Sequence, residues 1–455
     1  MSRRKTRFRR LAGLSLLFLF AVGFVTFVCF AVLTERRRVE TLAAIPTQPE
    51  IELHALLTEA LEKKDSEPAP DLRPAIGNIQ QWRNLFDLKE KTVNGEDWDA
   101  VLDLWYDADS WDDLTPADVE RIGAFLEVHK DFIEALRRVA AAGGPVEAIH
   151  PISQQRDIEH VRAIRDCARL LRINAIYHAR AGDTETAVQD CVAGFQLAEA
   201  LATEPYWLAQ GVRQICVNMV YHTLFDAFPP GALSSGETAR LIYQAQAMTG
   251  REALALSFQS SLHESKLQFS ELLDDGWTDR SAQMWKLFRV LDDGITMRAT
   301  LAGYASPLGR PWLNRDIART MDHFQRAIEL AHLPYYEAVE QLDMNVEGFS
   351  PYARLMDNMP ISSMRSQADL ETQLQLLQIG LTLEQRQAET GNVPDSLDAL
   401  SATFREETLI DPYTGERFRY RPQNGGFLLY SAGRNQVDDG GEHDYTHGDI
   451  VWRHD

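Results

Sequence analysis

Hydrophobic positions fall into three kinds of pattern along this chain. Residues 11–33 (LAGLSLLFLFAVGFVTFVCFAVL) form an uninterrupted apolar run without a charge. From about residue 78 to 391, apolar residues recur at helical spacing, as in Ile164, Cys167 and Leu171, or Ala187, Cys191, Phe195 and Ala198. Past residue 391 the period shortens. Arg417–Arg421 alternates charged and aromatic residues, Asn424-Gly425-Gly426 reads as a hairpin turn, and Phe427–Ser431 reads as the returning strand. The predicted fold class is mainly α: an N-terminal transmembrane helix, an α-helical body, and a small C-terminal α+β module with a β-hairpin.

The expected organisation follows. Residues 1–10 are a basic tail, 11–33 a membrane span, and 34–77 a stalk with a Pro-rich linker. Residues 78–365 are a helical domain and 366–455 the C-terminal module. Expected helices cover 115–140, where Thr115-Pro116 supplies an N-cap and first-turn pair, then about 157–181, 184–202 and 205–227. Further helices are expected over 236–273, 278–303, 312–347 and 366–391, with loops at 304–311 and 348–360. The stretch YHARAGDTETAVQDCVAGFQLAEAL, with its short Ala-Gly-Asp turn and small residues at the crossing, resembles a tetratricopeptide-type helical hairpin. No 34-residue period repeats along the chain, so a regular solenoid is not expected.

As a helix, 23 apolar residues reach about 35 Å, enough for a bilayer core of about 30 Å. The run exceeds a signal-peptide core, and Glu35 and three arginines follow it, so it reads as an uncleaved signal anchor. A secretory signal cut near Ala43–Ala44 is the alternative. Six basic residues precede the run, which places the N-terminus in the cytoplasm. In a bacterium, the protein is then a single-pass inner-membrane protein with a periplasmic body.

Charge sharpens this picture. The net charge is −21, yet the first 38 residues hold nine basic side chains against one acid. The rest carries 37 basic and 66 acidic side chains. So acidic a body repels phosphates, and no nucleic-acid partner is expected. Cys29, Cys167, Cys191 and Cys216 form no metal-type cluster. The last three read as small core residues, with a Cys167–Cys191 disulfide as the alternative.

The C-terminal residues Gly391, Pro394, Ser396, Leu397, Leu400, Asp411-Pro412-Tyr413, Gly415, Tyr420, Tyr430-Ser431, Gly433, Gly440-Gly441, Asp449-Ile450 and Trp452 occur in a distinctive order. Residues 368–455 thereby resemble the C-terminal region of type II secretion major pseudopilins. The same tail is similar to that of large membrane-anchored bacterial helical proteins of unassigned function. The N-terminus departs from the pseudopilin pattern. Arg10-Leu11 stands where the family has its processing glycine, and the apolar run holds no glutamate.

The resemblance implies a calcium loop. Asp449 is the first candidate ligand, then Asp438 or Asp439, joined by Asp444. Calcium takes six to eight oxygens, which a glycine-rich acidic loop can supply. The alternative is a solvated acidic loop. His443 and His447 have zinc spacing, but Gly440-Gly441 disfavours the helix that spacing needs. Asp107, Asp109 and Asp118 fall at three positions of a calcium loop, but Asp112 stands where glycine is required. The bland reading there is a helix face of Trp98, Leu102, Trp105 and Tyr106.

No hydrolase, nucleotide or zincin motif occurs, and no catalytic residue is assigned. The expected function is a non-enzymatic envelope protein with a helical scaffold or protein-binding body and a calcium-stabilised tail. The alternatives are a secretion or pilus component, and a helical enzyme acting on a glycan or peptide.

Overall fold

The computed structural model describes residues 24–41, 70–92, 111–147, 159–248, 250–274, 309–342, 351–423, 425–442 and 448–454, with scattered positions in 56–61 and 98–104. It is mainly helical, with one small antiparallel sheet. The chain divides into two compact units. One comprises residues 1–47, 262–326 and 344–360, and the other 48–261, 327–343 and 361–455.

The first unit contains helix α1 (residues 24–41) and most of a later helix, Arg310–Leu330. Among the described residues no helix is long and apolar enough to cross a membrane. Residues 11–23 of the expected span lie outside the described residues.

The second unit holds α2 (Arg73–Thr92), α3 (Pro116–Val128), α4 (Lys130–Ala142), α5 (Glu159–Arg180), α6 (Thr184–Ala200), α7 (Trp207–Ala227) and α8 (Ser235–Gln246). Its centre is the trio α5, α6 and α7. Asp183 caps α6 by accepting from the Thr186 amide at 3.1 Å, and Gly182 turns the chain at φ +85°. A turn this short makes α5 and α6 an antiparallel hairpin. At the α6–α7 crossing a Cβ on Gly194 would meet Val220 at 2.6 Å, so a larger residue would force the helices apart. Ile164, Cys167, Leu171, Phe195, Leu197 and Cys216 fill the core between them. All three cysteines of this unit are free and buried. The alternative Cys167–Cys191 bridge is not formed, and burial among apolar side chains pushes the Cys167 thiol up to about 12.

One buried polar node ties α4, α5 and α6 together. Asp190 accepts from Arg137 at 2.7 Å and from Asn174 at 2.6 Å. Burial pushes its carboxyl up, and the two donors pull it back.

The expected helices are modified in four places. The 115–140 helix breaks at His129 (φ −102°, ψ 10°), which caps α3 and precedes α4. The 236–273 helix divides into α8 and α9 (Glu252–Asp274) around Gly250. The 312–347 helix divides into α10 (Arg310–Leu330) and α11 (Tyr335–Gln341). Pro334 lacks the amide that would continue the ladder and sits extended at ψ 153°. The 348–360 loop is helical instead from Pro351, where α12 (Pro351–Thr390) starts, with Pro360 inside it. The expected helix 278–303 lies outside the described residues.

Strands β1 (Arg419–Gln423), β2 (Gly426–Ser431) and β3 (Ile450–His454) pair in that order, all antiparallel. Gln423 faces Gly426, so the hairpin loop is two residues, with Gly425 at φ +89°. Tyr420, Leu429 and Trp452 are in register across the sheet. Phe427, Leu429 and Trp452 join the same hydrophobic cluster as α5, α6 and α7. The boundary expected at residue 366 falls inside α12, and among the described residues the strands close no separate core.

Trp452 is the joint. Its ring lies 5.6 Å from Tyr221 and 4.8 Å from Phe225, both edge-on, and it leaves no room for a side chain at Gly380. Its indole donates to Glu384 at 3.1 Å, while the Tyr221 hydroxyl donates to the Val451 carbonyl at 2.9 Å.

Candidate functional site

Two places in the second unit merit attention: the acidic loop between β2 and β3, and a groove beside α12.

The loop hangs from Asp411, which is buried just ahead of β1. The Asp411 carboxylate accepts from the Tyr413 amide (2.9 Å), the Ser431 hydroxyl (2.8 Å) and the Ala432 amide (3.1 Å). Burial raises its carboxyl and these bonds lower it. Arg434 then clamps Asp369 on α12, which also accepts from the Tyr413 hydroxyl at 2.5 Å. Gln436 adopts φ +58°, unusual for a residue with a side chain, and donates to the Tyr413 carbonyl at 2.7 Å.

Past that clamp come the acids named from the sequence. Asp449 is fully buried and accepts from the Gly441 amide at 2.6 Å and the Asp439 amide at 3.4 Å. Asp438 accepts from the Tyr430 hydroxyl at 2.8 Å and the Gly440 amide at 3.0 Å. Asp439 accepts from Asn435 at 2.8 Å. Backbone amides, the Tyr430 hydroxyl and the Asn435 side chain meet these carboxylates.

Burial pushes the Asp449 carboxyl up. The Gly441 and Asp439 amides oppose this, and the charges of Asp439 and Asp438 add to it. Asp438 is held low, by the Tyr430 hydroxyl first. Asp444, His443 and His447 lie outside the described residues. Among the described residues, no three acids, histidines or cysteines gather closely enough to hold a metal ion. In the other acidic stretch, Asp107 and Asp109 are outside the described residues. Asp118 serves the Thr115 capping box, accepting from its hydroxyl at 2.6 Å.

The groove is a feature that sequence reasoning missed. It encloses about 730 Å³ between the α8–α9 junction, α12 and the 403–408 turn. Its charged centre is Arg251, which holds Glu371 with two bonds of 2.8 and 2.6 Å. Gln367 donates to the same carboxylate at 3.0 Å. Gln375 donates through Nε2 to the Glu407 carbonyl at 3.1 Å, leaving its buried Oε1 without a hydrogen-bond partner among the described residues. Glu252 also lines the groove, from a different helix than Glu371. The lining comes from segments as far apart in the chain as Ala245 and Thr408, so no local pattern announces it.

Comparison with protein-family models, curated proteins and solved structures finds no match to this chain.

Proposed function

We propose that this chain is a single-pass, membrane-anchored protein of the bacterial envelope whose extracytoplasmic body is a protein-binding scaffold. The anchor rests on the apolar run 11–33 and its flanking charges. The observation that carries the binding role is the groove beside α12. Its lining sets Met248, Leu374 and Phe404 beside Gln246, Gln375 and Gln378, the mix of apolar surface and amide groups that a bound peptide segment needs.

The test is photo-crosslinking in living cells, with benzoylphenylalanine placed at Thr403 or Gln246 on the groove. A discrete protein adduct at these sites and none at exposed Glu120 supports the reading. Equal labelling at all three, or none at any, contradicts it. An adduct with a pseudopilin would move the assignment to a secretion or pilus component.

The same reading gives calcium to the acidic loop. Its support is the gathering of Asp438 and Asp439 near buried Asp449, where a cation would relieve the mutual repulsion. Asp444 completes the proposed donor set.

A second reading, a helical enzyme acting on a glycan or peptide, is favoured by Glu252 and Glu371 entering one groove from separate helices. Against it, Arg251 already engages both oxygens of Glu371. Turnover of a mixed oligosaccharide or peptide pool that disappears in both Glu252→Gln and Glu371→Gln would establish the enzyme and displace the scaffold.

A further inference from the structure

The charges of the groove beside α12 fall into two kinds. Two arginines and two glutamates line it: Arg251, Arg405, Glu252 and Glu371. Arg251 and Glu371 hold each other, and Gln367 donates to the same carboxylate. Glu252 and Arg405 are different. Both are exposed, and among the described residues neither has a hydrogen bond or an ion pair.

Glu252 opens α9, and its carboxylate lies over the glycine of the α8–α9 junction. A Cβ on Gly250 would come within 3.3 Å of Glu252 Oε2. On α7, fully buried Arg213 is drawn first to Glu199, 3.5 Å away, and then to Glu371 and Glu252. Being buried, it leaves the exposed Glu252 carboxylate open to solvent. Arg405 belongs to the 403–408 turn. Of the two acids that follow it, Glu406 is held by Arg417 at 2.7 and 2.8 Å, and Glu407 is not part of the lining.

The offset between these two walls is set by α12. Arg251 meets it at Glu371, and the 403–408 turn meets it at Gln375, which donates to the Glu407 carbonyl. Four residues of helix rise about 6 Å. In an extended peptide, side chains two residues apart share a face and stand about 6.6 Å apart. A helical peptide reaches that spacing at four residues, but opposite charges so placed pair with one another.

We propose that the groove takes an extended protein segment carrying a basic and an acidic side chain two residues apart, the first against Glu252 and the second against Arg405. The proposal rests on the reading of this groove as a protein-binding surface. It adds the chemistry of the partner: a segment of mixed charge, not a uniformly basic or acidic one.

The experiment uses the full chain in nanodiscs and capped, fluorescein-labelled peptides, read by fluorescence anisotropy. The mixed peptide has lysine and glutamate two residues apart, and is made in both orders. Its relatives replace the lysine, the glutamate or both by glutamine, or place the two charges on adjacent residues. In the better order, each replaced charge should weaken binding about fivefold, the scale of an exposed ion pair. Adjacent charges, which point to opposite faces, should lose at least one of the two gains. Glu252→Gln should erase the gain from lysine and keep that from glutamate, and Arg405→Gln should do the reverse. Peptides that all bind alike, peptides that do not bind, or gains that survive both variants overturn the proposal. Photo-crosslinking at Thr403 and Gln246 separates the two claims. Adducts there without any charge preference among the peptides overturn this inference alone. No adduct and no peptide bound overturns the scaffold reading and this inference with it.

Discussion

The helical trio α5–α7 and the C-terminal sheet both contribute to one buried core, but their contacts come from different distances. Gly182 and Asp183 bring α5 against α6 within a few residues, and α5 reaches α7 at Arg172–Asp226, 54 residues apart. The sheet gains its burial from far away. Tyr221 reaches Val451 across 230 residues, and Glu384 reaches Trp452 across 68. A three-stranded sheet of five- and six-residue strands lacks the area to stand alone. It is stable here because one of its faces completes the helical core. The tail's stability therefore reports on the helices behind it.

The largest expected break in this comparison is Trp452→Ala. Loss of a fully buried indole costs about 3–5 kcal/mol. If the sheet and helices share a core, urea unfolding followed by circular dichroism at the helix band should shift by that whole amount, although Trp452 lies in a strand. An unshifted helix transition would show that the two regions unfold separately.

Calcium sharpens the comparison from the opposite end. Calcium held by the acidic loop at a hundred times its Kd would stabilise the whole chain by about 2.7 kcal/mol. Calorimetric melting with calcium and with EDTA measures this. The shift should vanish in Asp449→Asn, which removes the charge at the buried centre of the loop.

A smaller effect is expected from pH. Burial pushes the Glu384 carboxyl up to about 7, and the Trp452 indole and Gly231 amide only partly oppose it. The folded state therefore holds this proton more tightly than the unfolded state. The stability it contributes is full below the ordinary glutamate range and is lost as pH rises to about 7. Glu384→Gln keeps an acceptor for the indole and removes the titration. Its stability should fall less than wild type between pH 5 and 8 in urea melts. Parallel curves would contradict the assignment.

The smallest effect is local. Thr115→Ala removes the α3 capping box and should cost about 1 kcal/mol, leaving the sheet unaffected.

The same contrast explains what the sequence disclosed. Helices α5, α6 and α7 were legible within about two residues because period, turn and cap are all local signals. The β1–β2 hairpin was legible from its alternation and from Asn424-Gly425. Strand β3 was not delimited in advance, since its five residues gain strand character by pairing with β2. The loop reading of 348–360 failed from Pro351 on because a proline tolerated in a helix, as Pro360 is, has the same letter as one that ends it. The groove, and the placement of Trp452 against Gly380, depend on residues far apart in the chain. Of the loop acids, Asp438, Asp439 and Asp449 lie near one another. That their oxygens accept from backbone amides and from a tyrosine and an asparagine side chain could not be read from the letters.

The most direct test of the shared core is native-state hydrogen exchange on the full chain. Peptides covering β2 (Gly426–Ser431) and α7 (Trp207–Ala227) should open with the same free energy, and Trp452→Ala should lower both equally. Strand amides that open at a much lower free energy, or a variant that lowers the strand alone, would contradict a core common to the sheet and the helices.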